Sequence, residues 1–179
     1  MVVLLLSHSV SGKDVSGVDI PETVTLKNGA LVKLNGAGVR SKFFFKIYAA
    51  GLYLPALSSK PEQIYSMSGG KRIFMQFIYD GVSKEKLIDG WNSGFKNNLP
   101  QAQLNNLSNE IEQFNGVFTE AKKNDQIILD FIPDVGTEVR INNELKASIK
   151  GPEFYSALLK IWLGNEPADG DLKEALLGQ

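Results

Sequence analysis

The sequence predicts an α+β fold, a long and mostly antiparallel sheet with a layer of helices on one face. Three observations predict it. Strand-like segments come first, two helical segments follow, and strands and then helices close the chain; elements grouped this way pack as a sheet against a helix layer. Asn28-Gly29 and Asn142-Asn143 each separate short alternating runs, and such residues accept the positive φ that tight hairpins need. The stretch from Val39 to Leu54 is apolar on both of its alternating faces, as a covered central strand requires.

Each element follows in order. Val24–Lys27 and Ala30–Leu34 form strands around Asn28-Gly29, and Asn35-Gly36-Ala37-Gly38 breaks the pattern. Val39 to Leu54 reads as one central strand. Phe43, Phe45, Ile47 and Ala49 point to one face, and Phe44, Lys46, Tyr48 and Ala50 to the other. Gly51 permits a bend, and Pro55 ends the strand. Ser58–Ser66, with Pro61, is a short helical or loop connection. Lys71–Tyr79 is a strand with Ile73, Met75, Phe77 and Tyr79 on one face. Ser83 is a good N-cap for a helix in which Leu87, Trp91 and Phe95 recur every fourth residue. Pro100 marks its exit. Leu104, Leu107, Ile111 and Phe114 then predict one further helix. Gln126–Ile132 is a strand, and Thr137–Ile141 pairs back with Glu144–Ile149. Pro152 opens a helix striped by Phe154, Leu158, Ile161 and Trp162, with Gly164 as its C′ residue. Asp171–Leu177 is a short last helix. No repeat or linker divides residues 13–179, which read as a single domain.

Residues 1–12 (MVVLLLSHSVSG) read as the residue of a secretory signal, an apolar run followed by small residues at Val10-Ser11-Gly12. A periplasmic or secreted protein is expected. No other stretch approaches the ~18 apolar residues of a membrane span.

Composition excludes several chemistries. The chain has no Cys, and its one His is His8, inside the expected leader. A mature chain without thiol or imidazole holds no Ser–His–Asp triad, no Cys–His dyad and none of the common zinc sites. No loop has the Asp/Asn/Glu spacing of a calcium site. No acidic pair has the placement of a glycosidase. We therefore assign no catalytic residue, metal or cofactor. With a net charge of −1, nothing in the overall balance attracts nucleic acid or an anionic membrane. Gly36-Ala37-Gly38 precedes no helix and lacks the Gly-Lys-Ser/Thr of a phosphate loop.

Arg40 is the most informative side chain. It heads a strongly apolar strand, where it must reach solvent, join a salt bridge or hook an anion, because an unpaired buried guanidinium is costly. Tyr48 lies eight residues on, on the same face if the strand is unbroken. It either packs in the core or lines an elongated pocket with Arg40 at the polar end. Phe44, Phe77, Trp91 and Phe95 are candidate pocket walls; the same residue types also simply fill cores.

Gly36-Ala37-Gly38-Val39-Arg40, followed by Phe44-Phe45-Lys46-Ile47-Tyr48-Ala49-Ala50-Gly51-Leu52-Tyr53-Leu54, resembles the Gly-Ala-Gly-x-Arg … Lys-Phe-x-Ala-x-Gly-Val-Tyr-Leu signature of chalcone isomerases and their fatty-acid-binding relatives. Later elements fit in order, so the resemblance covers roughly Thr23 to Leu163, and the short exported bacterial members are most similar. It implies an open-faced β-sandwich, a long antiparallel sheet under a helix layer. In the plant enzyme the motif Arg holds a substrate oxygen and a Thr polarises the ketone, while a Tyr and an Asn near the first long helix complete the site. Arg40 matches the Arg. The Thr position becomes Tyr48, and the other two fall near Ser83 and Gly90. The resemblance therefore implies a non-catalytic binding protein for a small apolar acid such as a fatty acid, with Arg40 and Tyr48 on the carboxylate. Two alternatives stand beside it: an isomerase or lyase acting on an enone or aromatic substrate, and a periplasmic partner-binding module with a filled core.

Overall fold

A computed structural model describes residues 12–179; the expected leader, with His8, lies outside the described residues except for Gly12, which opens the first strand. The chain runs β1 (Gly12–Val15), β2 (Val18–Pro21), β3 (Thr23–Thr25), β4 (Leu31–Lys42), β5 (Phe45–Leu54), α1 (Pro61–Ser66), β6 (Lys71–Phe77), α2 (Lys84–Asn98), α3 (Gln101–Asn106), α4 (Ser108–Asn115), β7 (Gln126–Ile132), β8 (Gly136–Ile141), β9 (Glu144–Ile149), α5 (Pro152–Leu163) and α6 (Gly170–Leu176). Strands β3 to β9 form one seven-stranded sheet in sequence order, every neighbour antiparallel. The expected α+β architecture is present.

Alternation sets the two faces. In β6, Ile73, Met75 and Phe77 are buried under the helices, while Arg72, Phe74 and Gln76 face the other side. The helix layer brings Trp91 and Phe95 of α2 against Phe114, Phe154 and Trp162 in one aromatic core. Ser83 caps α2, its hydroxyl accepting from the Lys86 amide at 3.3 Å. The opposite face is only partly covered. There the β1–β2 hairpin places Val15, Val18 and Ile20 on Ala49 and Tyr53, and the Tyr53 hydroxyl donates to the Pro21 carbonyl at 2.8 Å. The rest of that face is a polar ladder. Arg72 donates to both oxygens of Asp130, directly opposite it on β7, at 2.6 and 2.7 Å. Glu138 accepts from Lys27 and Arg140.

The structure departs from the sequence reading in several places. The expected single strand over Val39–Leu54 is two strands, because the chain reverses at Phe43-Phe44. Asn35-Gly36-Ala37-Gly38 lies inside β4 rather than breaking it; Asn35 is the extra residue of a bulge, and its side chain bonds Ser58 and Leu176. The β1–β2 hairpin, turning at Ser16-Gly17 with φ of 54° and 83°, was not expected. The second helix divides at Leu107 into α3 and α4. Gly164 closes α5 with φ −71°, not as a left-handed C′ residue; it leaves room for the Asn98 side chain.

Gly36 and Gly38 have a long-range purpose. α6 lies directly on them: a Cβ on Gly36 would overlap the Ala175 carbonyl, and one on Gly38 would come within 2.6 Å of the Ala175 methyl. Backbone cannot yield as a side-chain tip can. Gly36→Ala is therefore expected to cost about 3 kcal/mol of unfolding free energy in urea denaturation, with α6 the first element to lose protection in hydrogen exchange.

Candidate functional site

Arg40 is near the end of β4 and pairs directly with Tyr48 of β5. The two are cross-strand neighbours, not residues eight apart on one strand, and the guanidinium carbon lies 5.7 Å from the Tyr48 ring centre. Just beyond this pair, Ser41 is opposite Lys46, leaving Ile47 as one extra residue in β5. Such a bulge breaks the alternation, so Ile47 joins Tyr48 on the helix side and packs on the main core.

The hairpin end, α2 and the Glu166–Ala168 segment enclose an open groove of about 580 Å³, within the ordinary range for small-molecule sites. Ile47, Val82 and Ala168 are apolar lining; Phe43, Phe45 and Tyr79 extend it outward. Beneath lies a void of about 30 Å³, bounded by Arg40, Tyr48, Phe77, Trp91 and Ile161, with room for about one water-sized group. Arg40 borders both spaces.

The hydrogen-bonding groups there are incompletely used. Among the described residues Arg40 has no ion pair, and its buried Nε has no partner. The buried Nε1 of Trp91 has none either. Leaving such donors unpaired costs about 1–3 kcal/mol each. The nearby carboxylate of Asp169 is committed to the backbone amides of Ser41 and Leu172, each at 2.9 Å. Trp162 donates from Nε1 to the Tyr48 hydroxyl at 2.9 Å. Burial pushes the pKa of that hydroxyl up, against the opposing pull of Arg40 and the Trp162 bond; Tyr48 therefore stays a neutral O–H at neutral pH. Lys42 and Lys86 add positive charge to the groove, Asp89 and Glu166 negative. Among the described residues no cluster of His, Cys, Asp and Glu is placed to hold a metal.

Of the other expected wall residues, Phe77 and Trp91 border only the small void. Phe95 is buried between Phe114 and Phe154, at 6.2 and 6.0 Å between ring centres, and lines neither the groove nor the void. Phe44 is 99% exposed at the hairpin tip and is not a wall either. The sequence reading missed Ile47, Lys86 and Gly90 as lining. Gly90 carried a readable signal. A glycine inside a helix costs about 1 kcal/mol relative to Ala, and a Cβ here would meet nothing within 4 Å; its effect is to keep the groove open. Of the four positions that the resemblance equates with the plant site, Arg40 alone keeps the matching side chain. Ser83 is occupied as a helix cap, and Gly90 has no side chain to offer.

A model of the chalcone isomerase-like family matches residues 12–178. No curated protein matches the sequence. Among solved structures, the fold is similar to that of a fatty-acid binding protein from Arabidopsis thaliana, with a TM-score of 0.64. That likeness covers 87% of this chain and 96% of the plant chain at 17% identity, and at that identity it is a likeness of fold.

Proposed function

Starting from a chain that belongs to the chalcone isomerase-like family, we propose that it binds a small apolar carboxylic acid, such as a fatty acid, without catalysing its cyclisation or isomerisation. The observation that carries this reading is the buried, unpartnered Nε of Arg40 at the inner end of an open, partly apolar groove. A guanidinium donates two parallel N–H bonds to a carboxylate and neutralises it. The acid enters head first, its carboxylate on Arg40 and its hydrocarbon along Ile47, Val82, Phe45 and Tyr79. The Tyr48 ring supports the guanidinium from below. The fatty-acid binding protein of similar fold supports the choice of ligand class. Catalysis is disfavoured by chemistry: general-acid and oxyanion groups contribute orders of magnitude in rate, and the positions near Ser83 and Gly90 supply none.

Gly90→Leu tests the groove. The added side chain fills open space while helix propensity improves, so unfolding free energy is expected to rise by about 1 kcal/mol. Calorimetric titration with a series of saturated fatty acids should show binding by the parent chain and none by the variant. Unchanged binding would move the ligand elsewhere.

A further inference from the structure

Core packing does not explain the tip of the β4–β5 hairpin. Phe43, Phe44 and Phe45 are 86%, 99% and 56% exposed, consecutive, and outside both core clusters. Tyr79, 39% exposed, meets Phe45 edge-on at 5.5 Å. Phe43 also has a φ of 55°, a left-handed backbone that a bulky residue adopts only at a cost. Other reversals in this chain give that conformation to small or polar residues, Ser16-Gly17 and Asn142-Asn143. A Phe held there in water gains no packing in return. The other large exposed apolar residues, Leu31, Leu57, Val135 and Leu145, are not adjacent in sequence.

Charge indicates the partner. From Val39 to Leu54 the chain carries Arg40, Lys42 and Lys46 and no carboxylate. Lys86 approaches from α2, while Asp89 and Glu166 line the same groove and Asp169 is held by the amides of Ser41 and Leu172. The net charge of −1 hides this local positive charge, of which exposed Lys42 and Lys46 immediately flank the tip. A protruding apolar tip flanked by cations matches the boundary of an anionic bilayer, where rings enter the acyl edge and ammonium groups meet the head groups. A folded protein partner would need a preformed recess of the tip's shape; a fluid bilayer does not.

We propose that the Phe43-Phe44-Phe45 tip docks this protein on an anionic lipid surface, setting the groove mouth at the bilayer boundary. The proposal does not depend on what the groove holds. Co-sedimentation of the full chain with vesicles of phosphatidylcholine, with and without phosphatidylglycerol, tests it. The parent chain is expected to sediment with the anionic vesicles, and raised salt to weaken this. Phe44→Ser should reduce partition about tenfold and Lys42→Ala about fivefold, with unfolding curves unchanged. Gly90→Leu should sediment like the parent even where acid binding is lost, so the two readings fail separately. Absence of sedimentation, or full sedimentation of Phe44→Ser, overturns the proposal. So does a parent chain that ignores vesicles but self-associates in ultracentrifugation through Phe44.

Discussion

Arg40→Met is expected to abolish binding of the acid and, at the same time, to stabilise the empty protein. Charged hydrogen bonds contribute about 1.5–3 kcal/mol each, so losing a forked pair raises Kd by about a hundredfold or more. The stability change has the opposite sign. In the empty protein the Arg40 Nε is buried without a partner, and removing such a donor recovers about 1–3 kcal/mol. The lost contact with the Tyr48 ring, 5.7 Å away, returns about 0.5–1 kcal/mol of that. A net gain of about 1 kcal/mol should appear in urea denaturation, beside flat calorimetric titrations. Arg40→Lys keeps the charge without the fork and should recover only part of the affinity. A variant that still binds, or that loses several kcal/mol of stability, would make Arg40 a structural residue.

The largest stability loss is expected far from the groove, at Asp130→Ala. Asp130 is 1% exposed and is held by both forks of Arg72 at 2.6 and 2.7 Å. Removing one member of a buried pair leaves the other charge uncompensated, at about 3–5 kcal/mol. Glu138 lies opposite Asp130 on β8, but Lys27 and Arg140 already satisfy it, so it cannot replace the lost carboxylate without giving up its own partners. Removing both members, as Arg72→Met with Asp130→Leu, should cost much less than Asp130→Ala alone, because no charge is stranded. Equal losses in the single and double variants would show that the pair's packing, not its charge, matters.

Much of the fold was legible because local chemistry and long-range packing agree. Asn28-Gly29 and Asn142-Asn143 turn the chain as their residue types require, and the spacing of Leu87, Trp91 and Phe95 marks the buried face of α2. Reading failed where local signals and tertiary needs diverge. Phe43-Phe44 looks like strand interior, and nothing in its chemistry announces a reversal. Gly36 and Gly38 look like a break, but the reason for them is a helix more than a hundred residues away. Arg40 was legible as a lone cation in an apolar run. Its relation to Tyr48 was not, since that depends on the unseen reversal. The bulge at Ile47 then shifted parity and put Ile47 on the opposite side from the expected one. Phe44 was misplaced for the same reason, since its face was counted along a strand that does not continue through it.

The seating of α6 on Gly36 and Gly38 also constrains how the protein is made. Strands β4 to β6 leave the ribosome early and meander locally, so they can pair at once. The side of β4 that carries those glycines has no cover until residues 170–176 have been synthesised. A nascent chain therefore waits, sheet half dressed, through the production of β7, β8, β9 and α5, and that interval is when apolar surface invites wrong partners. Chaperone occupancy should stay high on stalled chains that expose β4 to α5 outside the exit tunnel, and fall when a C-terminal linker lets α6 emerge as well.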